Sequence, residues 1–315
     1  MKHKLFFMLT AVCLLGMTSV AQECSIHTIT GTYAFRGVGQ SFVGGPAYPM
    51  ETPSDPAHGI LPLHATGAYF AGSHVGSLTV YPDSTVDTRS WVAMGPYRTD
   101  PAAPNIPAKI TSIGLEMTAD GLVLGCGETI QYPYPSIPGT PDTVDKFITW
   151  DNGNELRLIH TTSGTPATSN FVAKRVTRAL DAAPRCGEQT MVGKYVATCS
   201  ASLIYMGSQT VAIAALMHLD ISGGEIKGNA FNRMETQTLA IPVNGMMTVD
   251  ADCTGNGYLY LPGLIPVPGA KMLYSVVTYD NGKGAFLMPI QLELPNGTKM
   301  DYFSPMSCQL ERTNQ

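Results

Sequence analysis

The chain of 315 residues has a formal net charge of −5; only 14% of its residues are charged, while glycine and proline together number 55. An acidic chain without a basic patch argues against nucleic acid as a partner, because phosphate recognition needs clustered lysine or arginine. Few charges and many turn-forming residues argue against disorder and favour compact β structure, since disordered chains are rich in charge and poor in apolar residues.

The N-terminus has the pattern of a secretory signal. Two lysines precede an apolar run over 5–17, and small residues follow at 19–21. The run is shorter than the roughly 20 residues that span a bilayer, so the pattern predicts a cleaved signal peptide over 1–21, with an uncleaved anchor as the alternative. We expect a secreted or periplasmic chain from about Gln22, with a net charge of −7 and no membrane insertion after cleavage.

Two parts of the chain carry the same landmarks in the same order. Each opens with a cysteine seven positions before a Gly-x-Tyr segment, and each has an aromatic-Asp-Asn-Gly turn near its end. The landmarks are Cys24, 31–33 and 150–153 in the first part and Cys186, 193–195 and 279–282 in the second. The repeat predicts one β-rich unit duplicated in tandem, with domains at 22–180 and 186–315.

Short alternating segments between turn residues predict about eight strands in each unit and no convincing amphipathic helix. In the first unit the predicted strands are 28–37, 67–71, 76–81, 85–94, 109–117, 122–131, 146–150, 155–161 and 170–176. In the second unit they are 191–199, 210–221, 225–234, 245–250, 257–261, 271–279, 284–294 and 299–310. The proline-rich excursion 39–65 has no counterpart in the second unit and predicts a lid or mouth.

The predicted fold class is all-β: two tandem antiparallel β-barrels of about eight strands each. Sandwiches would also fit the strand spacing. Barrels are favoured because closure removes the exposed strand edges that invite aggregation. An eight-stranded barrel is also wide enough to hold one small ligand.

Six cysteines follow the predicted signal, and an even number in an exported chain indicates disulfides. Two of the six belong to the first unit and are predicted to bond to each other. The repeat predicts the equivalent bond in the second unit, and the two cysteines that remain form the third pair. The predicted disulfides are Cys24–Cys126, Cys186–Cys253 and Cys199–Cys308. The chain has no C-x-x-C pair, so no metal site is predicted.

The Gly-x-Tyr strands, the turn over 252–257 and the aromatic-Asp-Asn-Gly hairpins resemble those of bacterial secreted proteins with lipocalin-like or allene-oxide-cyclase-like barrels. The resemblance covers both units through short turn-forming motifs. It implies a barrel with a binding interior, which some relatives use for ring-forming chemistry. It carries no catalytic signature that could be transferred residue by residue.

His218 and Asp220 are the candidate catalytic pair, because residues two apart on a strand share one face. If that face lines the barrel, an imidazole beside a carboxylate could act as an acid–base pair or hold the polar end of a ligand. The alternative is an outward polar face on a barrel whose interior takes the apolar neighbours.

The candidate ligand-binding residues are Trp91, Trp150, Met217 and Tyr195. The two tryptophans could stack on a ligand or belong to the core. The second unit contains many methionines, whose flexible side chains would give its interior the adaptability of a pocket for varied apolar ligands. Tyr195 also has a duplicate, Tyr33, and its repeated placement suggests a structural role in plugging the barrel floor.

Three histidines, His58, His64 and His74, surround the proline-rich excursion. Their spacing matches no common metal arrangement, and they are predicted to be exposed loop residues. A zinc or copper site is the alternative, because loops can bring distant ligands together. No cofactor is predicted.

Three functions stay open at the level of sequence, and whether the protein is an enzyme is undecided. The first is an exported protein that binds a small apolar molecule. The second is a barrel cyclase or isomerase, and the third is a structural or surface protein with filled barrels.

Overall fold

The computed structural model describes residues 24–43, 68–94, 97–98, 108–117, 123–132, 143–160, 167–178, 186–205, 209–234, 237–262, 265, 267–301 and 306–313. The predicted signal over 1–21 lies outside these residues, as does nearly all of the predicted lid. Within the described part of the chain, no helix is long and apolar enough to cross a membrane.

The first sheet follows a short helix, α1 (Ile26–Ile29). Its strands are β1 (Gly31–Val43), β2 (Ala68–Val80), β3 (Thr85–Met94), β4 (Tyr97–Arg98), β5 (Ala108–Met117), β6 (Val123–Tyr132), β7 (Thr143–Trp150), β8 (Glu155–His160) and β9 (Ala167–Thr177). All neighbouring strands are antiparallel, and β1 pairs with β9 and β2, so that eight strands close into a barrel with β4 appended to β3.

The second sheet repeats this topology. Its strands are β10 (Gly193–Tyr205), β11 (Gln209–Ser222), β12 (Glu225–Met234), β13 (Gln237–Val249), β14 (Thr254–Tyr260), β15 (Lys271–Tyr279), β16 (Gly284–Glu293), β17 (Lys299–Asp301) and β18 (Ser307–Arg312). The pairings of β10 with β18 and of β15 with β16 close eight of them, with β17 appended to β16. The predicted fold class of two tandem antiparallel barrels is confirmed.

Several predicted strand bounds were wrong. The segments 67–71 and 76–81 belong to one strand, β2, and 299–310 is divided between β17 and β18. Strand β13 begins eight residues before the predicted 245, although it contains Pro242, which lies opposite Asn229. Proline cannot donate to a strand ladder and therefore concealed this part of the strand from pattern analysis.

All three predicted disulfides are confirmed. Cys24 is bonded to Cys126 and Cys186 to Cys253. Cys199 and Cys308 lie opposite each other on β10 and β18 and form the third bond. The two partners of that bond are separated by 109 residues.

One end of each barrel is closed by a tyrosine and an Asp-Asn-Gly turn. The Tyr33 hydroxyl donates to the Gly153 carbonyl oxygen at 2.8 Å, and the Tyr195 hydroxyl donates to the Gly282 carbonyl oxygen at 2.7 Å. Both rings are fully buried. Arg175 strengthens the first floor, because its Nε also donates to Gly153 O at 2.9 Å. The structural role predicted for the repeated tyrosines is confirmed.

The glycine of each turn is required by its backbone conformation and by its neighbours. Gly153 and Gly282 have φ angles of 79° and 77°, in the region that side chains rarely adopt. A Cβ on Gly282 would lie 1.8 Å from the Thr190 carbonyl oxygen, and one on Gly153 would lie 2.1 Å from Thr28 O.

Buried side chains from all eight strands of the second barrel form one continuous apolar cluster. The first barrel has its own interior cluster, built around Tyr33, Phe147 and Leu156. A third cluster joins the outer faces of the two barrels. Its buried members are Ala34 and Val75 from the first barrel and Val277, Tyr279, Phe286 and Met288 from the second.

Polar contacts surround this interface between the barrels. Arg36 Nε donates to Ser307 Oγ at 2.7 Å, and Lys174 Nζ forms an ion pair with Glu311 Oε1 at 2.7 Å. The Tyr279 hydroxyl donates to the same Glu311 oxygen at 2.9 Å. Burial, followed by the negative charge of Glu311, raises the pKa of the Tyr279 hydroxyl, so this hydroxyl stays protonated as a donor.

Candidate functional site

His74 lies inside the first barrel and not in an exposed loop, which corrects the sequence-based prediction. Strand β2 pairs with β1 without a register shift over its whole length. Side chains on a strand alternate between its two faces, so His74 shares the face of Leu78 and Val80, both members of the interior cluster. Its backbone lies opposite Gly37 of β1.

Phe171 of β9 forms an aromatic wall with His74 and Phe35. The ring centroids of His74 and Phe171 are 5.3 Å apart and those of Phe35 and Phe171 6.2 Å, both in edge-to-face geometry. Such contacts stabilise ring orientation beyond simple burial. Phe171 packs against the interior cluster but is itself only partly buried.

The wall depends on the absence of a side chain at Gly37. Gly37 lies opposite Phe171 in the β1–β9 ladder, and a Cβ at this glycine would lie 2.1 Å from Phe171 Cδ1. The Phe171 ring therefore lies directly on the Gly37 backbone. Any larger residue at 37 would displace the ring from its position beside His74.

Burial lowers the pKa of the His74 imidazole to about 4. The ring is thus neutral at pH 7, with one nitrogen that donates and one that accepts. None of the described residues forms a hydrogen bond with it. A polar group of a bound molecule could satisfy either nitrogen, while Phe35 and Phe171 contact its apolar part.

The second barrel differs at the equivalent positions, which the matching strand registers define. Cys199 and Cys308 take the places of Gly37 and Phe171, and their disulfide crosses this part of the wall. Ala215 takes the place of His74 and packs against the filled core. Beside it on β12, Asn232 is buried, and its Nδ2 has no hydrogen-bond partner in the described part of the chain.

A second concavity of about 390 Å³ lies on the outer face of the second barrel, where its polar rim includes Tyr258, Tyr260, Lys227 and Lys271. Its charges are already compensated. Lys227 pairs with Glu225 at 2.9 Å, and Lys271 lies 4.8 Å from the centre of the Tyr258 ring. The groove is therefore a weaker candidate than the interior of the first barrel.

The predicted catalytic pair lies on the outside of the second barrel. His218 and Asp220 are exposed, while Met217 and Leu219, which alternate with them on β11, are buried in the core. The structure therefore matches the alternative of an outward polar face, and the two side chains do not line the interior of the barrel. A catalytic role for these two residues stays a prediction.

The predicted ligand-binding residues are not brought together. Trp150 is on the outer face of the first barrel with 62% of its surface exposed, whereas Met217 and Tyr195 are buried in the second barrel. Trp91 is on β3, and its side chain lies outside the described residues. A ligand-binding role for the four residues stays a prediction.

Pattern analysis missed His74, Phe171 and Gly37 as a group. The available signal was the alternation through Leu78 and Val80, which continues back to His74 if 68–80 is taken as one strand. The sequence-based prediction divided this segment into two strands and therefore placed His74 in the loop between them. The contact with Phe171 could not be found this way, because the two residues are far apart in sequence and meet only across Gly37.

No family model matches the chain, and no curated protein is significantly similar to it in sequence. Among solved structures, a double mutant of transferrin-binding protein B from Haemophilus parasuis Hp5 is 8% identical, covers 89% of this chain and 76% of that chain, and has a TM-score of 0.32. A protein of unknown function from the DUF3598 family of Nostoc punctiforme is 8% identical, covers 92% and 100%, and has a TM-score of 0.26. Transferrin-binding protein B from serogroup B Neisseria meningitidis is 10% identical, covers 90% and 77%, and has a TM-score of 0.25. Scores this low carry no functional argument.

Proposed function

We propose that the protein binds a small, largely apolar molecule with one polar group inside the first barrel. The observation that carries this proposal is the neutral His74 imidazole, which faces the barrel interior beside Phe171 without a hydrogen-bond partner among the described residues. Ligand sites are mostly apolar with a few polar groups that fix orientation. An aromatic wall with a single imidazole has this character.

The contrast with the second barrel supports the assignment to the first. There, apolar side chains from every strand pack together, and a disulfide occupies the positions of Gly37 and Phe171. A filled barrel offers no room for a ligand. We assign to the second barrel the role of a rigid support.

The proposed location is outside the cytoplasm, either secreted or periplasmic. Three disulfides support it, because disulfides form and persist in oxidising compartments. The predicted signal over 1–21 points to the same compartment.

The proposal is tested by titration with the apolar fluorescent dye N-phenyl-1-naphthylamine and by comparison of His74→Ala, Phe171→Ala and His218→Ala. The apolar rings of the dye would pack against the aromatic wall, so Phe171→Ala should weaken dye binding about tenfold. His218→Ala is the matched control, because it removes an exposed histidine from the outside of the second barrel.

The role of His74 is then measured with 1-naphthol, which has the same ring system and one hydroxyl. His74→Ala should lower the affinity for 1-naphthol by about tenfold, the worth of one buried hydrogen bond, and should change dye binding less. Absence of dye binding by the wild-type protein would overturn the proposal, as would an equal loss in His218→Ala.

A further inference from the structure

The interface between the two barrels joins two different surfaces. We call the outer surface of the three successive strands β2, β1 and β9 face A of the first barrel; it contributes Ala34 and Val75. We call the outer surface of β15 and β16 face B of the second barrel; it contributes Tyr279 and Met288. Because the barrels share one topology, each also has the other face.

Face A of the second barrel has no partner in the described part of the chain and exposes large apolar side chains. Val80 pairs with Gly31, as Ile221 pairs with Gly193, so the residue equivalent to Val75 is Leu216. Leu216 is 48% exposed. It lies opposite Phe231, which is 53% exposed and extends face A by one strand onto the neighbouring β12. The two side chains extend across neighbouring strands as one apolar patch.

Face B of the first barrel has no partner among the described residues, and it combines two exposed large apolar side chains with an ion pair between Arg157 and Glu155. Trp150 precedes its Asp-Asn-Gly turn as Tyr279 precedes the second one, and Ile159 lies opposite Lys146 as Met288 lies opposite Ser275. Trp150 is 62% exposed and Ile159 is 54% exposed. Their equivalents, Tyr279 and Met288, are buried against the first barrel.

We propose that face A of the second barrel binds face B of the first barrel of a second copy of this chain. The contact would repeat between chains the packing that already joins the two barrels within one chain. Four of the most exposed large apolar side chains of the described residues, Leu216, Phe231, Trp150 and Ile159, would be covered by it. Exposed apolar patches on a folded protein mark interaction surfaces.

The contact is head-to-tail, because it joins two different faces. Such heterologous contacts produce a closed ring if the rotation between copies closes and an open filament if it does not. The repeat of the internal interface is partial. Strands β9 and β18 already contact the partner barrel within the chain, so the contact between copies centres on β7 and β8 of one chain and on β11 and β12 of the next.

Sedimentation velocity over the micromolar to millimolar range tests this proposal. The wild-type chain should sediment faster as concentration rises, whereas Trp150→Glu and Phe231→Glu should each remain monomeric. Met300→Glu is the matched control, because Met300 is 48% exposed on β17, a strand that belongs to neither surface of the proposed contact. It should associate like the wild type.

Mixing the two monomeric variants gives the sharper result. Trp150→Glu retains face A and Phe231→Glu retains face B, so the mixture should form a 1:1 dimer that does not grow further. Ile159→Glu and Leu216→Glu form a second such pair if either first variant fails to fold, as judged by circular dichroism. A wild-type chain that stays monomeric, or a mixture that stays monomeric, would overturn the proposal.

Discussion

The two barrels share a framework and differ in one part of the wall. In the second barrel, Cys199 and Cys308 are bonded across β10 and β18. At the equivalent pair in the first barrel, Gly37 has no side chain and Phe171 lies across it towards His74. The same strand topology therefore yields one barrel fixed by a covalent bond and one that presents an aromatic wall and an imidazole to its interior.

This difference teaches that the framework does not determine what the interior can do. Both floors use a tyrosine hydroxyl and the carbonyl of a turn glycine. The same closure at the end of each barrel occurs with different side chains in the two interiors. The proposed binding site thus lies in one copy of a duplicated barrel, while the other copy keeps a filled core.

The largest effect should come from removal of the bond that distinguishes the second barrel. Replacement of both Cys199 and Cys308 by alanine should lower the free energy of unfolding by about 4 kcal/mol, because the bond closes a long loop in the unfolded chain. Both tryptophans belong to the first barrel. Their fluorescence should therefore change little in the denaturation curve, while far-ultraviolet circular dichroism should show a second, earlier transition. Coincident shifts of both signals would show that the barrels unfold as one unit.

The turn glycines should produce the next largest effect and should do so in both barrels. Gly282→Ala and Gly153→Ala should each cost about 3 kcal/mol in denaturant unfolding, because strain at a positive φ adds to a clash with a backbone oxygen. Gly297→Ala is the control. Gly297 has a φ of 82° but open space around it, so its substitution should cost only about 1 kcal/mol. Equal costs at 282 and 297 would contradict the close contact.

His74 should make the stability of the first barrel depend on pH. Its pKa is lowered from 6.5 to about 4 on folding, so between these values the unfolded chain binds more protons than the folded one. The contribution of His74 to the free energy of unfolding should be complete above pH 6.5 and should decrease as pH falls towards 4. The loss should be about 2 kcal/mol, below the roughly 3 that the whole shift would give, because the ring keeps some contact with water.

The measurement is the difference in the free energy of unfolding between the wild type and His74→Gln across this pH range. Carboxylates contribute equally to the two proteins, so their contribution cancels. His218→Gln should retain the wild-type pH dependence, because its side chain is exposed. A His74→Gln curve parallel to that of the wild type would show that the imidazole is not buried.

The smallest effect should distinguish the two floors. Tyr195→Phe should lower the free energy of unfolding by about 1 kcal/mol through the loss of its bond to Gly282 O. Tyr33→Phe also removes the contact of the hydroxyl with Ile29 O at 2.9 Å. It should still cost less, because Arg175 continues to donate to Gly153 O. Thermal or denaturant unfolding of the two variants measures this order, and a larger cost for Tyr33→Phe would reverse it.

Much of the framework could be predicted from the chain alone because its signals are local or repeated. The Asp-Asn-Gly turns, the Gly-x-Tyr strands and the cysteine order occur twice, and the duplication converted fifteen possible disulfide pairings into one that the structure confirms. The strand that contains Pro242 was the clearest failure. There a local breaker signal was overridden by pairing with β12, which continues through Pro242 to Gln237.

The candidate site could not be predicted, since it depends on which face of each strand turns inward. His218 and His74 are both strand histidines with apolar neighbours in the sequence, yet one is exposed and the other faces a barrel interior. A shift of one residue in the strand phase exchanges the two faces. The alternation through Leu78 and Val80 indicates this phase for His74 once β2 is taken as one strand, whereas the contact with Phe171 follows only from the pairing of β1 with β9.

The sequence by itself determined the all-β duplicated design, the disulfide pairs and the tyrosine floors, because turn chemistry and repetition act over short distances. Only the tertiary structure decided that Phe171 lies on Gly37 beside His74 and that Trp150 is exposed where Tyr279 is buried. These outcomes depend on contacts between strands distant in the chain and between barrels, where neither partner leaves a mark on the sequence near the other.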